Sequence, residues 1–214
     1  LSGTGKAMRL PKPVALAFLP YAEMTPGFAG RARDEGRTVL VHMPMQAERD
    51  PRPGPMALGV GMTPDEILRR LSWSLERVPG AVGLNNHEGS RFTADEAALA
   101  PVMQAVKGRG LFFLDSKTSG GSKAEAVAKA AGIASSGRDI FLDDDQSEAA
   151  VRRQLAELVL VAKKQGAAIA IGHPHAVTMR LLAEWLAEDH GVTLVTLPEA
   201  MKAKTAREMA LAER

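Results

Sequence analysis

An α/β fold with a mostly parallel sheet is the architecture this sequence predicts, and three observations predict it. Short apolar runs alternate with amphipathic helical stretches along the 214 residues. Several of these runs are apolar throughout, as in strands covered on both faces. Polar and titratable residues gather where the runs end, which is where α/β folds place their sites. About seven strands are expected. A TIM-like barrel and an open sheet share this pattern, so both stand at this point. Without a linker, an internal repeat or a low-complexity segment, residues 1–214 read as one domain.

Composition narrows the function classes. A hydrophobic content of 45% and a charged content of 24% suit a globular protein with a full core. The net charge is only +2, the bases are scattered, and aromatic content is 4%, which leaves no nucleic-acid footprint. With no cysteine, disulfides, thiolate nucleophiles and Cys-based zinc sites are excluded. No apolar run reaches the ~18 residues of a membrane span, and no signal peptide opens the chain. A G-x-S-x-G elbow, a Walker A loop and a clean G-x-G-x-x-G after a strand are all missing, which weakens serine-hydrolase and nucleotide-binding readings.

The elements follow in order. Residues 1–10 read as a loop and a short helix, stopped by Pro11 and Pro13. Residues 14–19 are a buried strand, 28–35 a helix with Gly36 as its C-cap, and 38–41 a strand running into His42. Residues 47–62, rich in Pro and Gly, are a loop expected to wall a cleft. Thr63, Pro64 and Glu66 open a helix whose stripe is Ile67, Leu68, Leu71, Leu75 and Val78. Val82 and Leu84 make a short buried strand that stops at Asn85-Asn86-His87-Glu88, and Thr93 with Glu96 reads as a capping box for a helix over 94–107. Residues 111–114 form a strand ending at Asp115, and Ser122 with Glu125 caps the next helix. Residues 140–142 form a strand ending at Asp143-Asp144-Asp145, an acidic turn in which Asp145 and Glu148 cap a helix over 147–164. Residues 167–171 lead into His173-Pro174-His175, 177–188 are helical, 192–195 are the last strand, and a helix runs from Pro198.

Three of the five histidines, His42, His87 and His173, sit at the ends of apolar strands. Neutral imidazole is the commonest metal ligand, and catalytic zinc sites use three protein ligands plus water. Parallel strands share one C-terminal rim, so these three are a candidate metal set; the alternative is three separate hydrogen-bonded rim residues. Asp115 can orient a histidine, ligate a metal or act as a base, or it can be a plain loop aspartate. Asn85 and Asn86 can bind sugar hydroxyls or fix the rim loop. Arg91 can hold a substrate anion or pair with Glu88, and His175 can line the cleft or face solvent. No function is assigned to His190, and the methionines read as core filling.

The strings Val14-Ala-Leu-Ala-Phe-Leu-Pro-Tyr21, Val41-His-Met-Pro-Met45, Gly83-Leu-Asn-Asn-His-Glu-Gly-Ser-Arg-Phe-Thr93, Phe112-Phe-Leu-Asp-Ser116 and Ala170-Ile-Gly-His-Pro174 together resemble the divergent polysaccharide deacetylase family. That family is a remote branch of the NodB-like polysaccharide deacetylases. The resemblance implies a distorted (β/α) barrel of about seven strands with the NodB-like glycoside hydrolase/deacetylase architecture. It implies hydrolysis of N-acetyl or O-acetyl groups on a carbohydrate substrate, in the cell envelope or periplasm. It also implies a divalent metal, typically zinc, held by one Asp and two His, with an Asp as base and a His as acid. His42 takes the place of the first histidine of the metal motif. The second falls on Gln46, with His87 as its substitute. His173 falls near the late motif that supplies the acid, with a ligand role also open. Asp115 and His173 are thus the catalytic candidates, and Asn85, Asn86, Arg91 and His175 the substrate-binding ones. The family's Asp-Asp strand end would fall just ahead of Leu1, so the domain is expected to lack its first strand. A glycan-binding or envelope-interaction domain without catalysis is the rival expectation. A purely structural domain, with histidines pointing apart, is a further alternative.

Overall fold

The computed structural model describes residues 3–50 and 53–213. Leu1, Ser2, Pro51 and Arg52, which the sequence assigns to the opening segment and to the proline-rich loop, lie outside the described residues. The chain forms two compact units: Ala15–Gly137, and the segment up to Val14 together with the chain from Arg138 onward. The described residues carry seven strands, all paired in parallel and, except between the fifth and sixth, separated by helices. This is the expected α/β class and strand number.

A short helix, α1 (Gly3–Ala7), belongs to the discontinuous unit. The continuous unit holds a five-stranded sheet of β1 (Leu16–Phe18), β2 (Val39–Met45), β3 (Gly83–Glu88), β4 (Phe112–Asp115) and β5 (Ser135–Gly137), in that spatial order. Its helices are α2 (Thr25–Asp34), α3 (Pro64–Arg77), α4 (Glu96–Gly108) and α5 (Ala124–Ala130). The inner strand β2 is buried on both faces: Val39, Leu40, Val41, Met43 and Met45 are all buried. Gly83 is required where β3 meets β4, because a Cβ there would run into the Phe112 ring.

Both β2 and β3 continue through the polar residues at which the sequence pattern ends them. The ladder pairs Leu40 with Gly83 and carries on to Met45 with Glu88. Asn85 and Asn86 stay in the strand because their buried amides find partners inside the protein, so no backbone pairing is lost to solvent. Val82, expected in the core, is instead largely exposed just ahead of β3.

The loop after β2 folds back beside it. Leu58, fully buried, forms an isolated parallel bridge with Met45, and Gln46 N–H donates to Leu58 O while Leu58 N–H donates to Pro44 O. Gln46 is the latch: its Oε1 accepts from Val60 N–H, and its carbonyl accepts from Arg91 and Phe92 N–H.

Several caps differ from expectation. Thr63 does cap α3. Asp95, not Thr93, caps α4; Thr93 lies in a 3-10 turn and donates to Gly89 O. Ser122 donates to Asp115 instead of capping α5 by itself.

In the discontinuous unit, β6 (Ile140–Phe141) and β7 (Ala170–Ile171) pair in parallel, with α6 (Glu148–Gln165), α7 (Ala176–Leu186) and α8 (Leu197–Ala212). Ile140, Leu142, Val151, Leu155 and Leu181 form the core here, with Trp185 packed against it. Ser147 caps α6, while Asp145 accepts from Ser147 N–H. Asp139 accepts from Ile169 N–H and from Lys204, tying α8 to the strand pair. The strand expected over 192–195 is absent, because Leu194 and Val195 face solvent and pair with no neighbour strand. The seventh strand is β5 instead, a Ser-Ser-Gly run of poor β propensity that is buried only through its pairing with β4.

At the start of α3, Arg69 and Arg70 hold the Glu66 carboxylate down to about 2 through two-sided hydrogen bonding. Arg70 also donates to Ala57 O, so the loop shares this anchor. A depressed carboxylate stabilises the fold above its ordinary range and loses that contribution as pH falls toward 2. Amide protection at the start of α3, taken relative to the intrinsic exchange rate at each pH, is therefore expected to fall on acidification over that window, and Glu66→Gln to remove that fall. Identical acid profiles for the two chains would show the anchor to be inert.

Candidate metal centre

Strand register assembles the first constellation. Phe141 pairs with Ile171, so two residues further on Asp143 and His173 come abreast on the same face. Asp143 is 3% exposed. Its Oδ1 lies 3.0 Å from His173 Nδ1, and its Oδ2 accepts from His173 N–H at 2.7 Å and from Thr178 Oγ1 at 2.9 Å. Gly172 lets the strand end approach, since a Cβ there would press on Leu142 and Thr178 at 3.2–3.3 Å. His175, at the N-cap of α7, donates its N–H to His173 O, which brings the two rings to 5.6 Å. Phe141 meets the His173 ring edge-on, also at 5.6 Å. One ligand atom each from Asp143, His173 and His175 lies within 4.8 Å of the others.

Burial raises the affinity of the Asp143 carboxyl for a proton, but the hydrogen bonds from the His173 ring, the His173 backbone and Thr178 outweigh it. The group therefore stays below the usual aspartate range. Ionised Asp143 accepts from His173 Nδ1–H, which leaves Nε2 as the acceptor nitrogen. Two imidazoles and a carboxylate are the donor set of zinc and related divalent ions.

A second constellation lies in the continuous unit. Because His42 pairs with Asn85 and Pro44 with His87, His42, Asn85 and His87 share one face of the sheet. His87 Nδ1 is 3.1 Å from His42 Nε2, His42 Nδ1 is 3.1 Å from Asn85 Oδ1, and Asn85 Nδ2 donates to Ser116 Oγ at 3.1 Å. Asn86, on the opposite face, accepts from Ser116 N–H and donates to Glu88 O. Both amides are thus engaged within the protein. Glu88 adopts φ +53° while its carbonyl also accepts from Thr118.

Asp115 is 1% exposed and accepts from Lys117 N–H, Ser122 Oγ and Glu125 N–H. It organises the loop leading into α5. Arg91 lines an open cleft of about 500 Å³ with Asp95, Glu96 and Lys123, and Lys123 pairs with Glu96 at 2.9 Å.

Of the candidates, His42 and His87 meet one another, and His173 meets His175. The sequence places Asp143 in a capping turn; its partnership with His173 and Thr178 emerges only from the pairing of β6 with β7. The one sequence signal for it is its place three residues after Ile140, matching His173 three residues after Ala170. Asp143→Ala is expected to cost about 2–3 kcal/mol, because buried donors lose a charged acceptor, and Thr178→Val about 1 kcal/mol. Urea unfolding checks both, and equal costs would contradict the central place of the carboxylate.

Residues 1–201 match the divergent polysaccharide deacetylase family. The uncharacterized protein YibQ of Escherichia coli (strain K12) is 36% identical over 179 residues, covering 84% of this chain and 56% of YibQ. An uncharacterized protein of Haemophilus influenzae is 38% identical over 173 residues, covering 81% of this chain and 62% of that protein. The chain therefore spans less than two thirds of the length of these relatives. The crystal structure of uncharacterized protein ATU2773 from Agrobacterium tumefaciens C58 aligns with a TM-score of 0.87 at 31% identity, over 92% of this chain and 82% of that one. Sequence and fold agree: this chain belongs to the divergent polysaccharide deacetylase family.

Proposed function

We propose that this chain is a metal-dependent hydrolase acting on acetylated carbohydrate, with a divalent metal, zinc by its donor set, held at Asp143, His173 and His175. The observation that carries the metal is the convergence of those three side chains; the family supports the carbohydrate role. When bound, such an ion polarises an acetyl carbonyl and lowers the pKa of water. The chain's own residues do the rest. Thr178 Oγ1 and His173 N–H hold the Asp143 carboxylate ionised and aimed. In the metal-free chain Asp143 accepts from the His173 ring, and an ion shared by the two would take the place of that hydrogen bond, with Phe141 meeting the ring edge-on. An envelope location belongs to the same proposal and rests on the family resemblance.

A second reading assigns the metal to His42 and His87. The observation favouring it is the 3.1 Å approach of their ring nitrogens, a separation two ligands of one ion can share. In this reading Asp115 and Asn86 shape the rim, and Arg91 holds an anionic group of the glycan.

Zinc content of the purified chain, measured beside His173→Ala/His175→Ala and His42→Ala/His87→Ala, separates the two. Loss of about one equivalent in the first variant alone supports the leading reading, and loss in the second alone supports the other. Acetate release from an acetylated oligosaccharide, abolished in the same variant, supports the hydrolase. Metal held without acetate release would favour a glycan-binding domain, and no metal in any chain would overturn the metallohydrolase reading.

A further inference from the structure

We propose that Tyr21 and Glu88 form a hydroxyl-binding subsite of the continuous unit, in which one sugar hydroxyl bridges the Tyr21 hydroxyl and the buried Glu88 Oε2. Three neighbouring strand ends build it. Tyr21 follows β1, Gly54 lies in the loop after β2, and Glu88 ends β3. Arg77 fixes the Tyr21 turn by donating to Pro20 O and Ala22 O, each at 3.1 Å. The loop lies against the tyrosine, since a Cβ at Gly54 would stand 2.6 Å from its ring. Glu48 N–H donates to Ser90 Oγ at 3.0 Å, which holds the start of that loop beside the end of β3. Glu88 pairs with Met45 in the ladder, so its place is set by the register.

The atom that points to a ligand is Glu88 Oε2. It is buried and has no hydrogen-bond partner among the described residues. Ionised or protonated, a carboxyl oxygen out of water requires such a partner. The backbone adds a second cost, because Glu88 holds φ +53°, a conformation that glycine adopts freely and a glutamate does not. A strained residue with an unsatisfied carboxyl oxygen lowers stability at its own position, and a ligand that completes the carboxyl accounts for its presence there. Tyr21 stands nearby: burial and the Glu88 charge push its hydroxyl up, yet no hydrogen bond joins the two groups. A hydroxyl both donates and accepts, so one hydroxyl satisfies Tyr21 and Glu88 together, whereas an amide N–H can serve only one of them. The subsite therefore suits a polyhydroxylated ligand, and its assignment to a sugar rests on the carbohydrate reading above.

Tyr21 is the single tyrosine of the chain, so its ring signals are unambiguous in NMR of the tyrosine-labelled protein. Titration of the full chain with glucose, N-acetylglucosamine and a tetramer of N-acetylglucosamine is expected to shift the Tyr21 ring and the Glu88 amide together. No shift at either group with all three sugars overturns the proposal. Tyr21→Phe and Glu88→Leu are each expected to weaken sugar binding about tenfold. The double variant is expected to lose less than the product of the two, because one hydroxyl is shared; losses that multiply overturn the bridge. Glu88→Leu is also expected to raise the urea midpoint, since the unsatisfied oxygen is gone. A lower midpoint with sugar affinity unchanged makes Glu88 structural and overturns the proposal. Where Glu88→Leu fails to fold, Tyr21→Phe decides by the same affinity measurement. Sugar bound as expected but no acetate released defeats the hydrolase reading and leaves the subsite standing. Acetate released, with affinity unchanged in both variants, defeats the subsite and leaves the hydrolase reading.

Discussion

Parallel strand register is the constraint on which both constellations depend. Paired residues in a parallel ladder share a face, and the side-chain period is two, so one register decides which side chains can meet. Pairing Phe141 with Ile171 brings Asp143 level with His173. Pairing His42 with Asn85 places His87 one step along the same face. A slip of one residue in either ladder would send these groups to opposite faces. The apolar residues around them hold the register, because Leu40, Val41, Met43, Met45 and Leu84 are buried on the two sides of the continuous unit's sheet.

Buried carboxylates carry a second layer of organisation. Buried Asp115 and Asp143 and part-buried Asp139 each collect several donors, as removing a charge from water demands. Their partners set their roles. Asp115 gathers backbone N–H groups and a hydroxyl, which fixes a loop. Asp139 gathers a backbone N–H and the Lys204 ammonium, which fixes a helix. Asp143 gathers a hydroxyl and an imidazole, and only that last partner can bind a metal or change protonation near neutral pH.

The two imidazole groups therefore differ in what stands behind them. His173 is backed by a carboxylate, whose Oδ1 lies 3.0 Å from its Nδ1. His42 and His87 meet one another, and His42 also meets the Asn85 amide. This difference in partners gives each imidazole pair a distinct chemical setting.

Much of this was legible in the sequence. The alternation of apolar runs and helical stripes determined the α/β class, because burial of a parallel strand leaves a continuous apolar signature. The strand-end histidines marked the regions where chemistry gathers, and the family strings marked the family. The chain ends of the strands were not legible: Asn85, Asn86 and His87 read as a break because polarity signals a loop, yet tertiary pairing supplied partners for them. β5 was invisible for the converse reason, since Ser-Ser-Gly has no strand signal until β4 lies beside it. Asp143 looked like one of three interchangeable turn aspartates, and only the β6–β7 register singled it out. Local composition determines which segments are buried, whereas which polar groups meet is a long-range property, decided when the strands choose their register.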